Sequence, residues 1–327
     1  MRSPCRFCAL LLVTVAAVGA GDAVYAAAAS YPSRPIRLLV PFAPGGGNDF
    51  LARLVGQKLG EQLGQPFVVD NRAGAGGIIA TDLGAKATPD GYTLLLGFIG
   101  ALTISPHFQK VPYDPLKDFA AASMLASIYH VLVVHPSLPA RSMPELIALA
   151  KAKPGALTFG SAGHATPPHL IGELLQSTLG IKLTHIPYKG SGPATIALLA
   201  GEAHMIFSSI TAVMQHVRAN RLAALAVTSP KRSAVLPEVP TLAESGVRSV
   251  EMGAWYALVA PAATPRSIMA RLNAEIVKMN ALPDYRKQLE RQAFEQLPGN
   301  PDKFPGFVRA EFNKWGKVIR EAGIRVQ

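Results

Sequence analysis

Few side chains in this sequence are spaced for bond-making chemistry, and those that come nearest fail on context. Ser161 lies close to His164 and His169, so a serine nucleophile with a histidine base can be written. The surrounding run, Gly160-Ser161-Ala162-Gly163-His164-Ala165-Thr166, lacks the G-x-S-x-G turn, and no acid stands where it would orient a base. The same two histidines lack the H-E-x-x-H pattern of a metal site, and a five-residue spacing does not align two rings on one helical face. The remaining histidines give no constellation. Cys5 and Cys8 are the only cysteines, and both lie in the N-terminal segment, which removes disulfides, thiolate zinc sites and cysteine nucleophiles from the rest of the chain. The dinucleotide fingerprint G-x-G-x-x-G fails at Gly45, where the sixth position is Phe50, and at Gly74, where it is Ile79; no phosphate-loop pattern occurs. The expectation is a protein with no catalytic set, no cofactor and no metal.

What the sequence does offer is loops that can bind. Pro44-Gly45-Gly46-Gly47 stands between a strand pattern and a helix pattern. Glycines there allow close backbone approach, and the helix start offers unpaired N–H groups to an anion. One such end contributes about 0.3–1 kcal/mol when exposed and up to ~2 when partly buried. A micromolar ligand needs about 8 kcal/mol, so an opposing surface must contribute. The loop Ser161–Thr166 adds two hydroxyls beside a second helix start. A third turn, Tyr188-Lys189-Gly190-Ser191-Gly192-Pro193-Ala194, carries a lysine that could meet a carboxylate, although lysines at turns are more commonly solvated. Trp255 and Tyr256 read as core or hinge packing.

The elements that must position these loops alternate along the chain. Ile36–Phe42 reads as a buried strand, followed by a helix with Leu51, Leu54, Val55, Leu59 and Leu63 at helical spacing and Asn48 or Asp49 as its cap. Phe67–Val69 and Tyr92–Gly97 complete a βαβαβ unit, which implies a parallel sheet covered by helices. Phe119–His135 is long and apolar enough to cross between two lobes. A second α/β unit follows: a helix opened by the capping box at Ser142–Glu145, then strands at Leu157–Gly160, Lys182–Pro187, Met205–Phe207 and Leu222–Val227, with helices between. Ala254–Val259 reads as a return crossing. A helix after Thr264-Pro265 and a terminal helix reaching about Ala322, stopped by Gly323, pack back on the first lobe. Two lobes joined by two crossings leave a cleft that closes readily on a ligand. The boundaries expected are 1–28 for a signal peptide, 29–126 with 254–327 for one lobe, and 127–253 for the other.

The signal peptide rests on Arg2 and Arg6, an uncharged apolar run from Phe7 to Gly21, and Val24-Tyr25-Ala26 as a cleavage pattern, with Ala26-Ala27-Ala28 an equal register. The run is shorter than the ~20 residues that span a bilayer, so a secreted, periplasmic protein is expected. The formal net charge is +11, which suits an anionic ligand. The basic residues are scattered and not interleaved with aromatics, so no nucleic-acid partner is expected.

Taken in order, several motifs resemble one family. Tyr31-Pro32-Ser33-Arg34-Pro35-Ile36 leads into Val40–Gly47; Asp70-Asn71-Arg72-Ala73-Gly74-Ala75-Gly76-Gly77, Pro89–Leu95 and Pro112-Tyr113-Asp114-Pro115 follow. Then come His185-Ile186-Pro187-Tyr188-Lys189-Gly190, Leu225–Ser229 and Leu236–Thr241. The chain resembles the substrate-binding proteins of tripartite tricarboxylate transporters, the Bug type. The resemblance implies a type II-like two-lobe periplasmic-binding fold, each lobe a mainly parallel sheet flanked by helices. It implies a monomer that captures a small carboxylate for membrane permease subunits; a ligand-sensing subunit of a signalling receptor is the alternative, and a hydrolase a more remote one. The family's pocket maps to Phe42, Ala43, Pro44, Gly45 and Gly46, to Phe98, Ile99 and Gly100, and to Ser161, Ala162, Gly163, His164 and Thr166. Ser208 stands where members commonly carry an aspartate that pairs with a ligand amine or hydroxyl. Its absence, with Phe98 and Ile99 replacing small hydroxyl residues, points to an aromatic or otherwise hydrophobic carboxylate.

Overall fold

The first strands are apolar runs because both faces of their sheet are covered. In β1 (Ile36–Val40), Ile36, Leu38, Leu39 and Val40 are fully buried. It lies parallel between β2 (Phe67–Asn71) and β3 (Thr93–Phe98), with Leu38 opposite Val69 on one side and Leu94 on the other. The computed structural model describes residues 31–324 apart from Ser249 and Pro298. The signal peptide expected over 1–28 lies outside the described residues.

Helices α1 (Gly47–Leu63) and α2 (Ile78–Ala85) connect these strands. After β3 the chain makes a tight buried π-type turn at Gly100–Ile104, then enters β4 (Phe119–Val134). This strand belongs to both lobes. Residues Phe119–Tyr129 pair antiparallel with β9 (Gly253–Pro261), which in turn pairs with β3. Residues His130–Val134 pair with β7 (Met205–Ser209), and Val131–Val134 with β8 (Ala223–Val227). In the second lobe α3 (Met143–Ala152) leads to β5 (Thr158–Ser161), α4 (Pro167–Leu179), β6 (Thr184–Pro187), α5 (Ser191–Leu199), β7 and α6 (Ile210–Arg218). There β5 is parallel to both β6 and β7. The chain returns through β9 to α7 (Arg266–Ala281), α8 (Pro283–Arg291), the short β10 (Phe294–Gln296) on β4, and α9 (Phe304–Glu321).

Strand periodicity divides the core. In β4, Leu132 and Val134 join the larger apolar cluster, whereas Val131 and Val133 face a second one built with Leu198, Val213 and Met214. In β7, Phe207 goes to the first cluster and Ile206 to the second, as alternation requires. Where the crossings meet, Thr228 knots them together. It donates its N–H to the His130 carbonyl (2.8 Å), accepts the His130 N–H on Oγ1 (2.9 Å) and donates Oγ1–H to the Met252 carbonyl (2.7 Å).

Four local expectations change. The first strand ends at Val40, not Phe42, because Pro41 has no N–H to continue the ladder. Gly46, with extended backbone, caps α1, so Asn48 and Asp49 fall inside the first turn; the Asp49 carboxylate instead accepts the Gly45 N–H at 3.3 Å. The capping box at Ser142 forms, but the Glu145 carboxylate reaches the N–H of Arg141 (2.6 Å). Helix α8 and strand β10 were not anticipated, although Pro283 at a helix start is a recognisable signal. The terminal helix does pack on the first lobe, where His107 Nε2 lies 2.8 Å from the Phe312 carbonyl, and Gly323 follows it at φ 65°.

Candidate functional site

Four helices begin at one small cavity between the lobes. Asn48 is in the first turn of α1, Thr166 caps α4, Ser191 opens α5 and Ser209 caps α6, and all four residues line the cavity. Each helix start carries roughly half a positive elementary charge, concentrated on N–H groups without an intrahelical partner. The walls are apolar. Phe42 and Phe98 meet edge to face at 5.0 Å, and Ala162, Pro167, Pro168, Ala254 and Tyr256 complete the lining. No lysine or arginine lines it. The single histidine there, His130, has its pKa lowered to about 4 by burial and is neutral at pH 7. Burial raises the Tyr256 hydroxyl well above its ordinary value. The cavity is therefore neutral in its side chains and positive in its backbone, the electrostatics of an anion site.

Two buried polar atoms point at unmet needs: Asn48 Oδ1 and His130 Nδ1 have no partner among the described residues. The Met252 carbonyl beside the His130 ring partly offsets the effect of burial on its pKa. Nearby, the Asp49 carboxyl is desolvated, but Arg53, the Gly45 N–H and Asn71 outweigh this and lower its pKa. Arg53 lies 3.0 Å from it, so its charge is compensated.

The lobes are closed on each other. Ala43 donates its N–H to the Lys189 carbonyl (3.0 Å), and Gly47 donates to Ser209 Oγ (3.2 Å). A side chain on Gly192 would collide with the Pro44 carbonyl, and one on Gly76, at φ 61°, with that of His164. The space left for solvent inside is about 20 Å³, room for a water or two. A second opening of about 380 Å³ lies at the rim, between Phe42, Gly76, Gln109, Gly163, His164 and Lys189.

Of the residues singled out in the sequence, Phe42, Phe98, Ala162 and Thr166 line the cavity, and Gly163 and His164 lie at the rim. Ala43, Pro44, Gly45 and Gly46 form the edge that meets Lys189, Ser191 and Gly192. Ile99 and Gly100 are buried behind Phe98. Ser208 is fully buried but alternates onto the face of Ile206, and its neighbour Ser209 lines the cavity instead. Asn48, His130, Ser191, Ser209, Tyr256 and the two prolines were not singled out as ligand contacts. Lys189 is exposed, and its carbonyl rather than its ammonium makes the cross-lobe contact.

Ser161 does meet a histidine, but not either one near it in sequence. His185 Nε2 lies 2.6 Å from Ser161 Oγ. Burial, with His169 and His164 alongside, pushes the His185 pKa down to about 3, far too low for a general base at neutral pH. Ser161 Oγ also accepts the Gly163 N–H and donates to the Gly163 carbonyl (both 3.1 Å), so it serves to shape the loop. The histidines also form the constellation that sequence spacing did not reveal: His164, His169 and His185 sit together.

Comparison with known proteins gives the family. Residues 51–324 match the family described as tripartite tricarboxylate transporter family receptor. The protein BugT of Bordetella pertussis is 38% identical over 323 residues, covering 97% of this chain and 98% of its own. Among solved structures, R. palustris Rpa4515 with adipate superposes at a TM-score of 0.87 with 35% identity, covering 90% of this chain and 99% of its own. MatC from Rhodopseudomonas palustris with bound malate gives 0.83 with 30% identity, covering 88% and 100%. The chain belongs to the tripartite tricarboxylate transporter receptor family, Bug-type periplasmic solute-binding proteins rather than enzymes.

Proposed function

We propose that this protein captures a small carboxylate with an apolar or aromatic body in the inter-lobe cavity and presents the closed form to membrane permease subunits. The observation that carries this is the convergence of four helix starts on a cavity whose walls are apolar and whose only histidine is neutral. Adipate and malate in the two relatives support the ligand class. Phe42, Phe98 and Tyr256 supply the apolar surface, and the N–H groups of α1, α5 and α6 hold the carboxylate. His130 Nδ1 hydrogen-bonds a polar group of the ligand. The glycine edge Ala43–Gly46 and the loop Ser161–Thr166 close over it.

The lobes part at 126/127 and 253/254, beside the knot made by His130, Thr228 and Met252. A monomer exported with cleavage of a signal peptide near residue 28 completes the reading. A cavity of about 20 Å³ is far below the roughly 300–1,000 Å³ of ordinary ligand sites. The ligand therefore enters with the lobes apart, and contacts to both lobes then favour closure.

A thermal-shift screen of the mature protein against aromatic, di-, tri- and amino-acid carboxylates tests this. Ligand at 100 times its Kd stabilises the fold by about 2.7 kcal/mol. A shift with aromatic or apolar carboxylates is expected; a shift confined to aspartate and glutamate would overturn the apolar specificity, and no shift with any acid would overturn the proposal.

A further inference from the structure

The three clustered histidines come from different elements. His164 lies in the loop after β5, His169 in the first turn of α4, and His185 in β6, where parallel pairing sets it opposite Phe159. Their ring centroids are 4.1 Å apart for His169 and His185, 5.1 Å for His164 and His185, and 5.6 Å for His164 and His169. One nitrogen of each ring lies within 4.8 Å of one nitrogen of each other ring.

Contacts outside the cluster hold the rings in place. Ala165 donates its N–H to His169 Nδ1 (3.2 Å), and Glu173 Oε1 lies 3.7 Å from His169 Nε2. Ser161 Oγ lies 2.6 Å from His185 Nε2. A histidine that binds a metal donates its other ring N–H to an outer acceptor, which Ser161 Oγ provides for His185. At His169 the Ala165 N–H takes the Nδ1 lone pair, so a change of tautomer is needed before Nε2, on the Glu173 side, binds an ion. His169 is buried, His185 half-buried and His164 exposed. Beside them opens a pocket of about 320 Å³, to which Glu173, Gln176 and Thr184 also contribute, so an ion has a way in.

We propose that His164, His169 and His185 form a binding site for a divalent transition metal, with zinc the expected ion. Imidazole ligands suit zinc, copper and nickel. Two nitrogens bound at about 2.0–2.1 Å to one tetrahedral zinc stand roughly 3.4 Å apart. Movements of about an ångström close the site, and the exposed His164 has the freedom to make them. Glu173 Oε1, 3.7 Å from His169 Nε2, is placed to bring an oxygen to the fourth position. The site takes His164 from the loop Ser161–Thr166 but lies outside the four-helix cavity, and the proposal does not rest on carboxylate binding.

The test is titration of the untagged mature protein with Zn²⁺ against a chromophoric competing chelator, with no carboxylate present. One equivalent is expected to bind. His164→Gln and His185→Gln are expected to weaken it about tenfold or more, while His135→Gln leaves it unchanged. His164 is exposed, so its variant keeps the fold, which circular dichroism checks. Co²⁺ substitution gives a second readout: the intense visible bands of a four-coordinate nitrogen site are expected, and they disappear in His164→Gln. Binding weaker than about 100 µM, equal binding by all variants, or only the faint spectrum of hydrated Co²⁺ would overturn the proposal.

Discussion

Helices α4 and α5 occupy equivalent places in the second lobe, yet their first turns are chemically opposite. Each follows a parallel strand and starts at the cavity. Helix α5 begins Ser191-Gly192, two residues with N–H groups and one hydroxyl, after Gly190 at φ 135°. Helix α4 begins Pro167-Pro168, which have no N–H at all. Its leading loop is satisfied from within: Ala165 N–H goes to His169, Gly163 N–H to Ser161 Oγ, and Thr166 Oγ1 to the Gly163 carbonyl at 2.7 Å. The dipole of α4 still points at the cavity, but the surface it presents is apolar. On the proposed reading, these two similar strand-to-helix turns divide the work, one offering donors and the other a wall.

The sharpest way to break this comparison is to give α5 the start of α4. Proline is well tolerated at the first position of a helix, so Ser191→Pro removes one N–H and one hydroxyl with little cost to folding. A hydrogen bond to a charged group is worth about 1.5–3 kcal/mol, or about 10- to 150-fold in affinity. Carboxylate binding measured by calorimetry is expected to fall by that factor, with the melting temperature of the ligand-free protein nearly unchanged. Undiminished affinity would move the donor role away from α5.

The sequence made the outline of this division legible but not its details. The two crossings and the glycine edge after β1 could be read because they depend on apolar runs and on where strands stop; Phe42 and Phe98 came with the family resemblance alone. In the turn Tyr188–Ala194 the lysine is the conspicuous residue, yet its side chain is exposed and its carbonyl does the bonding. Ser208 and Ser209 differ by one position, and in a strand one position decides the face. Prolines at 167 and 168 remove two N–H groups from the start of α4, which counts against the donors that the hydroxyls of Ser161 and Thr166 suggest. His185 and His130 were illegible for a different reason: the first reaches Ser161 through the β5–β6 register and the second reaches the cavity through the crossing strand.

A second, smaller effect separates the cavity's histidine from its donors. His130 is neutral in the fold with a pKa of about 4, against about 6.5 in the unfolded chain. A lowered value means that the unfolded state takes up protons first, so this contribution is complete above about pH 6.5 and is lost as pH falls towards 4. At pH 5 the loss from His130 is about 2 kcal/mol. Urea unfolding at pH 7 and pH 5 measures it. In His130→Gln the drop in stability between these pH values is expected to be smaller than in the unaltered protein by about that amount. An equal drop in both would mean that His130 is not held neutral.

The smallest effect is the reverse exchange, Pro168→Ala, which restores an N–H at the second position of α4. If the first turn of α4 acts as a wall, the new N–H meets the apolar side of the ligand and the affinity changes by less than about threefold, a few tenths of a kcal/mol. Stability changes little, because alanine is a good helix former and loses only the rigidity of proline. If the α4 start instead lies against a carboxylate oxygen, the added donor strengthens binding by about tenfold or more, as a charge-assisted bond should. Paired with Ser191→Pro, the measurement is one-directional: a loss at α5 with no gain at α4 places the carboxylate on the α5 side. A gain at α4 would mean that two prolines, not distance, keep that helix from sharing the charge.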